Sequence, residues 1–105
     1  MAQTRIDMYE VLYSANGFPP RIALKNAGNY VGQMIFKPNG TTLPADAIAN
    51  NQVQLYYHLD DFQHAIDLLR NEKPIYMYYN GSGGGFENGI RTMAERVGEG
   101  EISSP

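Results

Sequence analysis

The sequence predicts an α+β domain in which one helix packs on one face of a mixed, mostly antiparallel sheet of five or six strands. Three observations predict this class. Several short segments alternate apolar and polar residues with the two-residue period of a strand. One segment, residues 60–71, repeats its apolar residues with the period of a helix. That segment lies between two of the strand segments.

The strand segments share alternation and an enrichment in Tyr, Val and Ile. The first places Ile6, Met8 and Leu12 on one side, with Glu10 as an exception. The second and third are separated by three residues that include a glycine, which predicts a hairpin. Residues 41–51 form the least regular stretch. The predicted strands are residues 4–13, 21–26, 30–37, 52–58, 75–79 and 86–93.

The helix is predicted over residues 60–71. Asp60 is suited to cap it, and Gln63 three residues later completes the pattern of a capping box. Pro74 prevents the helix from continuing. An apolar stripe at helical spacing is expected to face the core, and it consists of Phe62, Ala65, Ile66 and Leu69, with Leu68 at its flank.

The helix and the strands on either side of it predict a β-α-β crossover, in which strands 52–58 and 75–79 run parallel in one sheet. One helix can cover only one face of that sheet. The core-facing positions are then Val53, Leu55, Tyr57, Ile75, Met77 and Tyr79. The opposite face carries Gln54, Tyr56, His58, Tyr76 and Tyr78. Because tyrosine is enriched at interfaces, this Tyr-rich face is expected to meet a second subunit, a small ligand or the folded-back segment 41–51.

Composition limits the classes of function. The chain has 105 residues, which predicts a single domain over residues 1–105. An acidic, glycine-containing tail is predicted from about residue 94, fraying near 103–105. The chain contains no cysteine, which excludes disulfides, thiol catalysis and thiolate metal sites. Its 2 histidines leave little material for a metal site, so neither a metal nor another cofactor is predicted.

Charge and hydropathy limit the partners and the location. The net charge is −3, from 8 Lys and Arg against 11 Asp and Glu, whereas nucleic-acid binders usually carry a basic surplus. No apolar stretch approaches the roughly 18 residues that span a membrane. No signal peptide is visible at the first residues. We therefore expect a cytoplasmic protein with neither a nucleic-acid nor a membrane partner.

A group of imidazole and carboxylate side chains surrounds the start of the helix. It consists of His58, Asp60, Asp61 and His64, and such groups can bind metals or move protons. Their spacing is poor for either task, however. A helix cap and a solvated helix face explain the same residues. The second interpretation is therefore favoured over a metal or catalytic site.

A glycine-rich run follows strand 75–79, and its glycines are Gly81, Gly83, Gly84 and Gly85. It has no lysine and leads into a strand-like segment, whereas a phosphate loop ends in Gly-Lys-Ser/Thr and opens a helix. The run is therefore expected to be a flexible hairpin or flap loop. Arg91 beyond it could hold an anionic ligand. The alternative for Arg91 is an exposed strand arginine paired with Glu87.

Several short segments resemble a known group of proteins. They are Leu68–Tyr76, Arg91-Thr92 and Val97–Glu101, with the earlier pairs Ile35-Phe36, Asn39-Gly40 and Leu43-Pro44. Through these segments most of residues 20–101 resembles small bacterial proteins of unassigned activity, some of which are carried as integron gene cassettes. The resemblance implies a compact α+β domain that is often oligomeric. It carries over no catalytic residue.

The leading hypothesis is a homodimeric or otherwise homo-oligomeric binding domain without enzyme activity, which uses the face of Tyr56, Tyr76 and Tyr78. The alternative is a small-molecule-binding protein or a small enzyme, with His58, Arg91 and the glycine-rich loop around a cavity. A flat two-fold contact would favour the first hypothesis. A pocket lined by His58 and Arg91 would favour the second.

Overall fold

The computed structural model describes residues 2–94, 96 and 97. The predicted acidic tail lies largely outside these residues, and its predicted frayed end lies wholly outside them. The strands are β1 (Ala2–Ile6), β2 (Met8–Leu12), β3 (Arg21–Asn26), β4 (Asn29–Lys37), β5 (Ala47–Ala49), β6 (Gln52–His58), β7 (Ile75–Tyr79) and β8 (Gly89–Thr92). The described residues contain one α-helix, α1 (Phe62–Asn71), which a 3-10 turn, Leu59–Asp61, precedes.

The strands form two sheets. The larger has five strands in the order β2-β3-β4-β6-β5, and the smaller has three in the order β1-β7-β8. Neighbouring strands are antiparallel except β4 and β6, which are parallel. The predicted α+β class, with one helix and mixed, mostly antiparallel strands, is confirmed for the described residues. The larger sheet has the predicted number of strands, and the smaller sheet is a feature that the sequence pattern did not predict.

The predicted β-α-β crossover is wrong in its strand pairing. β6 pairs with β4 and β5, whereas β7 pairs with β1 and β8, so the strands that flank α1 belong to different sheets. The helix therefore carries the chain from one sheet to the other instead of returning it to the same sheet. The parallel pair is β4 and β6, which residues 38–51 connect. β5, within that connection, adds a short antiparallel strand to β6.

The first predicted strand is divided at Asp7, between β1 and β2. The main-chain N–H of Asp7 donates to the carbonyl oxygen of Lys25 at 3.0 Å. The carboxylate of Asp7 accepts the N–H of Ala27 at 2.9 Å. Ala27 is in the hairpin turn between β3 and β4 and has a left-handed φ of 52°, which is unusual for a residue with a Cβ. The Asp7 carboxylate thus ties this turn to the bend at which the chain passes from the smaller sheet to the larger.

The bend shifts the strand alternation by one residue. Ile6 is buried in the core, but Met8 and Leu12 lie on the outer face of the larger sheet, opposite Lys25 and Arg21. The expectation that Ile6, Met8 and Leu12 share one side is therefore wrong. Glu10, which interrupted the predicted pattern, lies on the same outer face as Met8 and Leu12.

One core lies between the two sheets and α1. Its buried side chains come from both sheets and the helix, and they are Ile6, Ile22, Leu24, Met34, Phe36, Val53, Leu55, Ala65, Leu69, Ile75 and Met77. Partly buried residues pack against them, among them Tyr57, Phe62, Ile66, Leu68 and Tyr79. The predicted core-facing positions of β6, α1 and β7 are therefore confirmed.

The two sheets approach closely at Gly32 on β4. A Cβ atom at this position would lie 2.6 Å from the sulfur of Met77 on β7 and 2.9 Å from the carbonyl oxygen of Val53 on β6. Both distances are shorter than van der Waals contact. A side chain at this position would thus clash with the side chain of Met77 and with the backbone of the neighbouring strand β6, and glycine avoids both clashes.

We expect Gly32→Ala to lower the free energy of unfolding by about 1–3 kcal/mol, because the carbonyl of the neighbouring strand cannot move aside without disturbing the sheet. Gly84→Ala is the matched control, since a Cβ there meets no atom within 4 Å. Its effect should stay within about 0.5 kcal/mol. Urea denaturation measures both changes. A Gly32→Ala protein as stable as the unmodified chain would contradict this packing of the sheets.

Candidate functional site

The predicted Tyr-rich face is divided between the two sheets. Tyr56 and His58 on β6 lie on the outer face of the larger sheet. The residues that alternate with them, Leu55 and Tyr57, face the core. Tyr76 and Tyr78 on β7 lie on the outer face of the smaller sheet. The core separates these two faces. The sequence placed all four residues on one surface because it assigned β6 and β7 to the same sheet, and that surface is not formed.

On the larger sheet, segment 41–51 folds back along β6. The main-chain N–H of Tyr56 donates to Oδ1 of Asp46 at 2.9 Å. The Nε2 atom of His58 lies 2.7 Å from the carbonyl oxygen of Thr41. Because a carbonyl can only accept, Nε2 carries the proton in this contact. The polar groups of this end of β6 are therefore engaged within the chain.

On the smaller sheet, Tyr76 lies between two arginines. Arg5 on β1 and Arg91 on β8 are its cross-strand neighbours, and both are exposed. Glu87, the carboxylate considered as a partner for Arg91, accepts the hydroxyl of Tyr78 at 2.9 Å. Burial and this hydrogen bond raise the pKa of Tyr78, while the positive charge of Arg91 opposes the shift.

The predicted cap of the helix is wrong. Asn39 donates to the carboxylate of Asp60 at 2.9 Å and accepts the N–H of Asp60 at 2.8 Å, so this carboxylate is held away from the helix start. Gln63 donates to Asp67 instead of completing a capping box. α1 begins at Phe62, and no side chain caps it. Among the described residues, no three His, Asp or Glu side chains lie together as a metal site would require.

The glycine-rich run forms the loop between the antiparallel strands β7 and β8. Asparagines join its two ends. The N–H of Asn80 donates to Oδ1 of Asn88 at 2.6 Å, and Nδ2 of Asn88 donates to the carbonyl oxygen of Gly81 at 2.9 Å. Nδ2 of Asn80 donates to the carbonyl oxygen of Glu87 at 2.5 Å. The loop leads into strand β8 and is therefore a hairpin loop, as predicted. Its flexibility stays a prediction.

Asp46 connects this loop to the larger sheet. While Oδ1 accepts the N–H of Tyr56, Oδ2 accepts Nδ2 of Asn88 at 3.1 Å. One carboxylate thus joins β6 to the residue that precedes β8. We call Asp46, Asn80 and Asn88 the clasp. The sequence pattern did not single these residues out, although an asparagine near each end of the glycine-rich run was a visible signal.

Tyr57 lies beside the clasp. Its ring stacks on Phe36, with the ring centroids 5.4 Å apart. Its hydroxyl reaches Gly89, where a Cβ would lie 3.2 Å from the hydroxyl oxygen. Burial raises the pKa of Tyr57 far above that of an ordinary tyrosine, and the negative charges of Asp46 and Asp61 raise it further.

Tyr57 also lines a cavity of about 360 Å³ between α1 and β8. The apolar part of its lining consists of Met34, Ala65, Leu68 and Ile90, and the polar part consists of Tyr57, Asp61 and His64. The sequence pattern assigned Tyr57 to the core, and it assigned Asp61 and His64 to a solvated helix face. The cavity was not predicted because it depends on where β8 lies relative to α1, which the local pattern does not determine.

The structure does not bring together the residues of the predicted pocket, namely His58, Arg91 and the glycine-rich loop. His58 lies on the larger sheet and Arg91 on the smaller. Four cavities lined by described residues include neither of them.

Comparison with known proteins gives no family for the chain. No protein family, curated protein or solved structure matches it. Within residues 2–94, 96 and 97, no helix is long and apolar enough to cross a membrane. The functional conclusion therefore depends on the surfaces and contacts described above.

The clasp predicts a stability effect. We expect Asp46→Ala to lower the free energy of unfolding by about 1–3 kcal/mol, because it removes the acceptor for both the Tyr56 N–H and the Asn88 amide. Hydrogen exchange of the Tyr56 N–H should become faster. Asp67→Ala is the control, since its carboxylate is exposed and, among the described residues, accepts a hydrogen bond only from the Gln63 amide. Unchanged stability together with unchanged exchange at Tyr56 would refute the role given to the clasp.

The raised pKa of Tyr57 predicts a loss of stability in alkali. An unfolded tyrosine releases its proton near pH ~10, whereas folded Tyr57 retains it to higher pH. The stabilising contribution is thus complete below about pH 10 and decreases above it, by up to about 1.4 kcal/mol per pH unit.

Tyr57→Phe should remove this part of the decrease in the free energy of unfolding with pH. Urea denaturation at a series of pH values would show the change. Tyr13→Phe is the control, because that side chain is 76% exposed. If the Tyr57→Phe protein and the unmodified chain lose stability at the same rate above about pH 10, the burial assigned to this hydroxyl is incorrect.

Proposed function

We propose that this protein is a homo-oligomeric interaction domain in which two copies pair through the free edge of β2. The observation that carries the proposal is an unprotected sheet edge. β2 is the terminal strand of the larger sheet. It exposes 56% of Met8 and 44% of Val11, and Tyr13 just beyond it is 76% exposed. An exposed edge strand with apolar side chains favours pairing with another strand.

The one charge on β2 does not protect this edge. Glu10 is the only charged residue of the strand. Its carboxylate accepts the hydroxyl of Tyr30 at 3.0 Å and lies 3.7 Å from the ammonium of Lys25. Both partners belong to the same sheet, so Glu10 is held over that sheet and its charge is offset. Protected edges more often carry a free lysine, a proline or a bulge.

A second copy of the chain is the partner that this edge fits. Two β2 strands related by a two-fold axis would run antiparallel and present the same residues to each other. With Glu10 paired to Lys25, like charges do not oppose this contact. Pairing would join two five-stranded sheets into one continuous sheet. The opposite edge, β5, has only three residues, and so short an edge offers little to a partner.

This proposal keeps the predicted homo-oligomer and changes its contact surface. The Tyr-rich face cannot serve as one contact, since Tyr56 and Tyr76 lie on different sheets. The resemblance to cassette-borne bacterial proteins stays a prediction, as does the oligomer that it implies. A cytoplasmic location and the lack of a nucleic-acid partner stay predictions from composition. The alternative hypothesis, a small-molecule site, is kept for a different set of residues, those that line the cavity between α1 and β8.

Val11→Lys tests the pairing, because a charge at a paired edge strand must lose its hydration. We expect the unmodified chain to sediment as a dimer at micromolar concentrations and Val11→Lys to weaken dimerisation at least about tenfold, or about 1.4 kcal/mol. Met8→Lys provides a second variant in case the first affects folding.

Ile48→Lys is the matched control, because Ile48 is 59% exposed on β5, at the opposite edge of the same sheet. It should leave the dimer intact. A chain that stays monomeric at high micromolar concentration, or a dimer that Ile48→Lys disrupts and Val11→Lys does not, would overturn the proposed surface.

A further inference from the structure

We propose that the cavity between α1 and β8 binds a small organic cation, namely a protonated amine that carries an apolar group. Its lining combines an apolar surface with a tyrosine hydroxyl, a carboxylate and an imidazole. None of its lining residues is a lysine or an arginine. This site is separate from the β2 edge and does not depend on dimerisation.

The apolar part of the cavity suits the apolar group of such a ligand. Met34 and Ala65 are buried core residues, and Leu68 and Ile90 pack partly buried against the same core. They form a surface that is continuous with the hydrophobic interior. The volume of about 360 Å³ lies at the lower end of the range for small-molecule sites, roughly 300–1,000 Å³. A ligand with one ring or a short alkyl chain is therefore the appropriate size.

The charges around the cavity select a cation. Asp61 lines it directly, and the carboxylate of Asp46 acts on the hydroxyl of Tyr57 inside it. The pKa of Tyr57 rises partly because these two carboxylates disfavour a second negative charge nearby. The same potential attracts a protonated amine and repels a carboxylate or a phosphate.

The hydroxyl of Tyr57 provides a hydrogen-bonding group inside the cavity. Among the hydrogen bonds of the described residues, none involves this hydroxyl, although burial raises the pKa of Tyr57. Tyr57 lines the cavity, so a ligand bound there can supply a partner for this hydroxyl. An ammonium group could donate to the Tyr57 oxygen and to Asp61, while the ring of Tyr57 adds a cation–π contact.

The larger cavity at the other end of α1 supports no comparable inference. It has a volume of about 460 Å³. Cations and carboxylates both line it, in the form of Arg5, Arg70 and Lys73 together with Asp7 and Glu72. Charges of both signs in one cavity select no single class of ligand, whereas the cavity beside Tyr57 has a carboxylate and neither lysine nor arginine beside its apolar surface.

The test is a titration of the full chain with three probes of similar shape, followed by NMR. They are 2-phenylethylamine, which is cationic at neutral pH, 2-phenylethanol, which is neutral, and 3-phenylpropionate, which is anionic. We expect the amine to shift the resonances of Tyr57, Leu68 and Ile90. The alcohol should bind at least about tenfold more weakly, and the carboxylate more weakly still.

Asp61→Asn should weaken binding of the amine about tenfold and leave binding of the alcohol unchanged, because only the amine carries a charge. Asp67→Asn is the matched control, since Asp67 is a carboxylate of α1 that is exposed like Asp61 but does not line the cavity. Equal affinities for amine and alcohol, an Asp61→Asn protein that binds the amine normally, or no shift at these residues up to millimolar probe would each overturn the proposal. The Val11→Lys protein should bind the amine normally, which separates this test from that of the dimer.

Discussion

The side chain of Met77 on β7 packs against Gly32 on β4, and this contact joins the two sheets within the one core on which the fold depends. A helix of ten residues cannot cover the inner face of five strands, so β7 covers the part that α1 leaves exposed. Met77 and Ile75 therefore share one core with Met34 and Leu55. Were β7 a member of the larger sheet, as the β-α-β interpretation required, these positions would lie side by side and have less apolar cover.

Carboxylates hold two of the places where the sheets are joined. Asp7 lies at the bend between β1 and β2, and Asp46 bridges β6 and the residue before β8. A carboxylate suits both places because its oxygens accept hydrogen bonds from several directions, including main-chain N–H groups that have no strand partner. At the bend, the N–H of Ala27 is such a group, and beside β6 the N–H of Tyr56 is another. Both carboxylates thus have structural partners within the chain.

The local pattern of the sequence predicted the helix and most of the strands, but it missed β5, the division of the first strand at Asp7 and the pairing of the strands. Alternation correctly placed Val53 and Met77 in the core, because the direction of a side chain depends only on position within its own strand. Pairing depends on residues far apart in the chain, such as Ile6 and Ile75, and no local pattern encodes it. Asp60 failed as a cap for the same reason, since Asn39 lies 21 residues away.

Both proposed sites follow from the way in which the sheets end. The larger sheet ends at a five-residue strand, β2, whose only charge is held over the sheet, so its edge stays available to another strand. The smaller sheet ends at β8, which has four residues and contributes only Ile90 to the cavity. Tyr57 of the larger sheet, with Asp61 and His64 at the start of α1, completes the polar part of the lining. Both proposals therefore depend on the places where the sheets end, and neither depends on a catalytic motif.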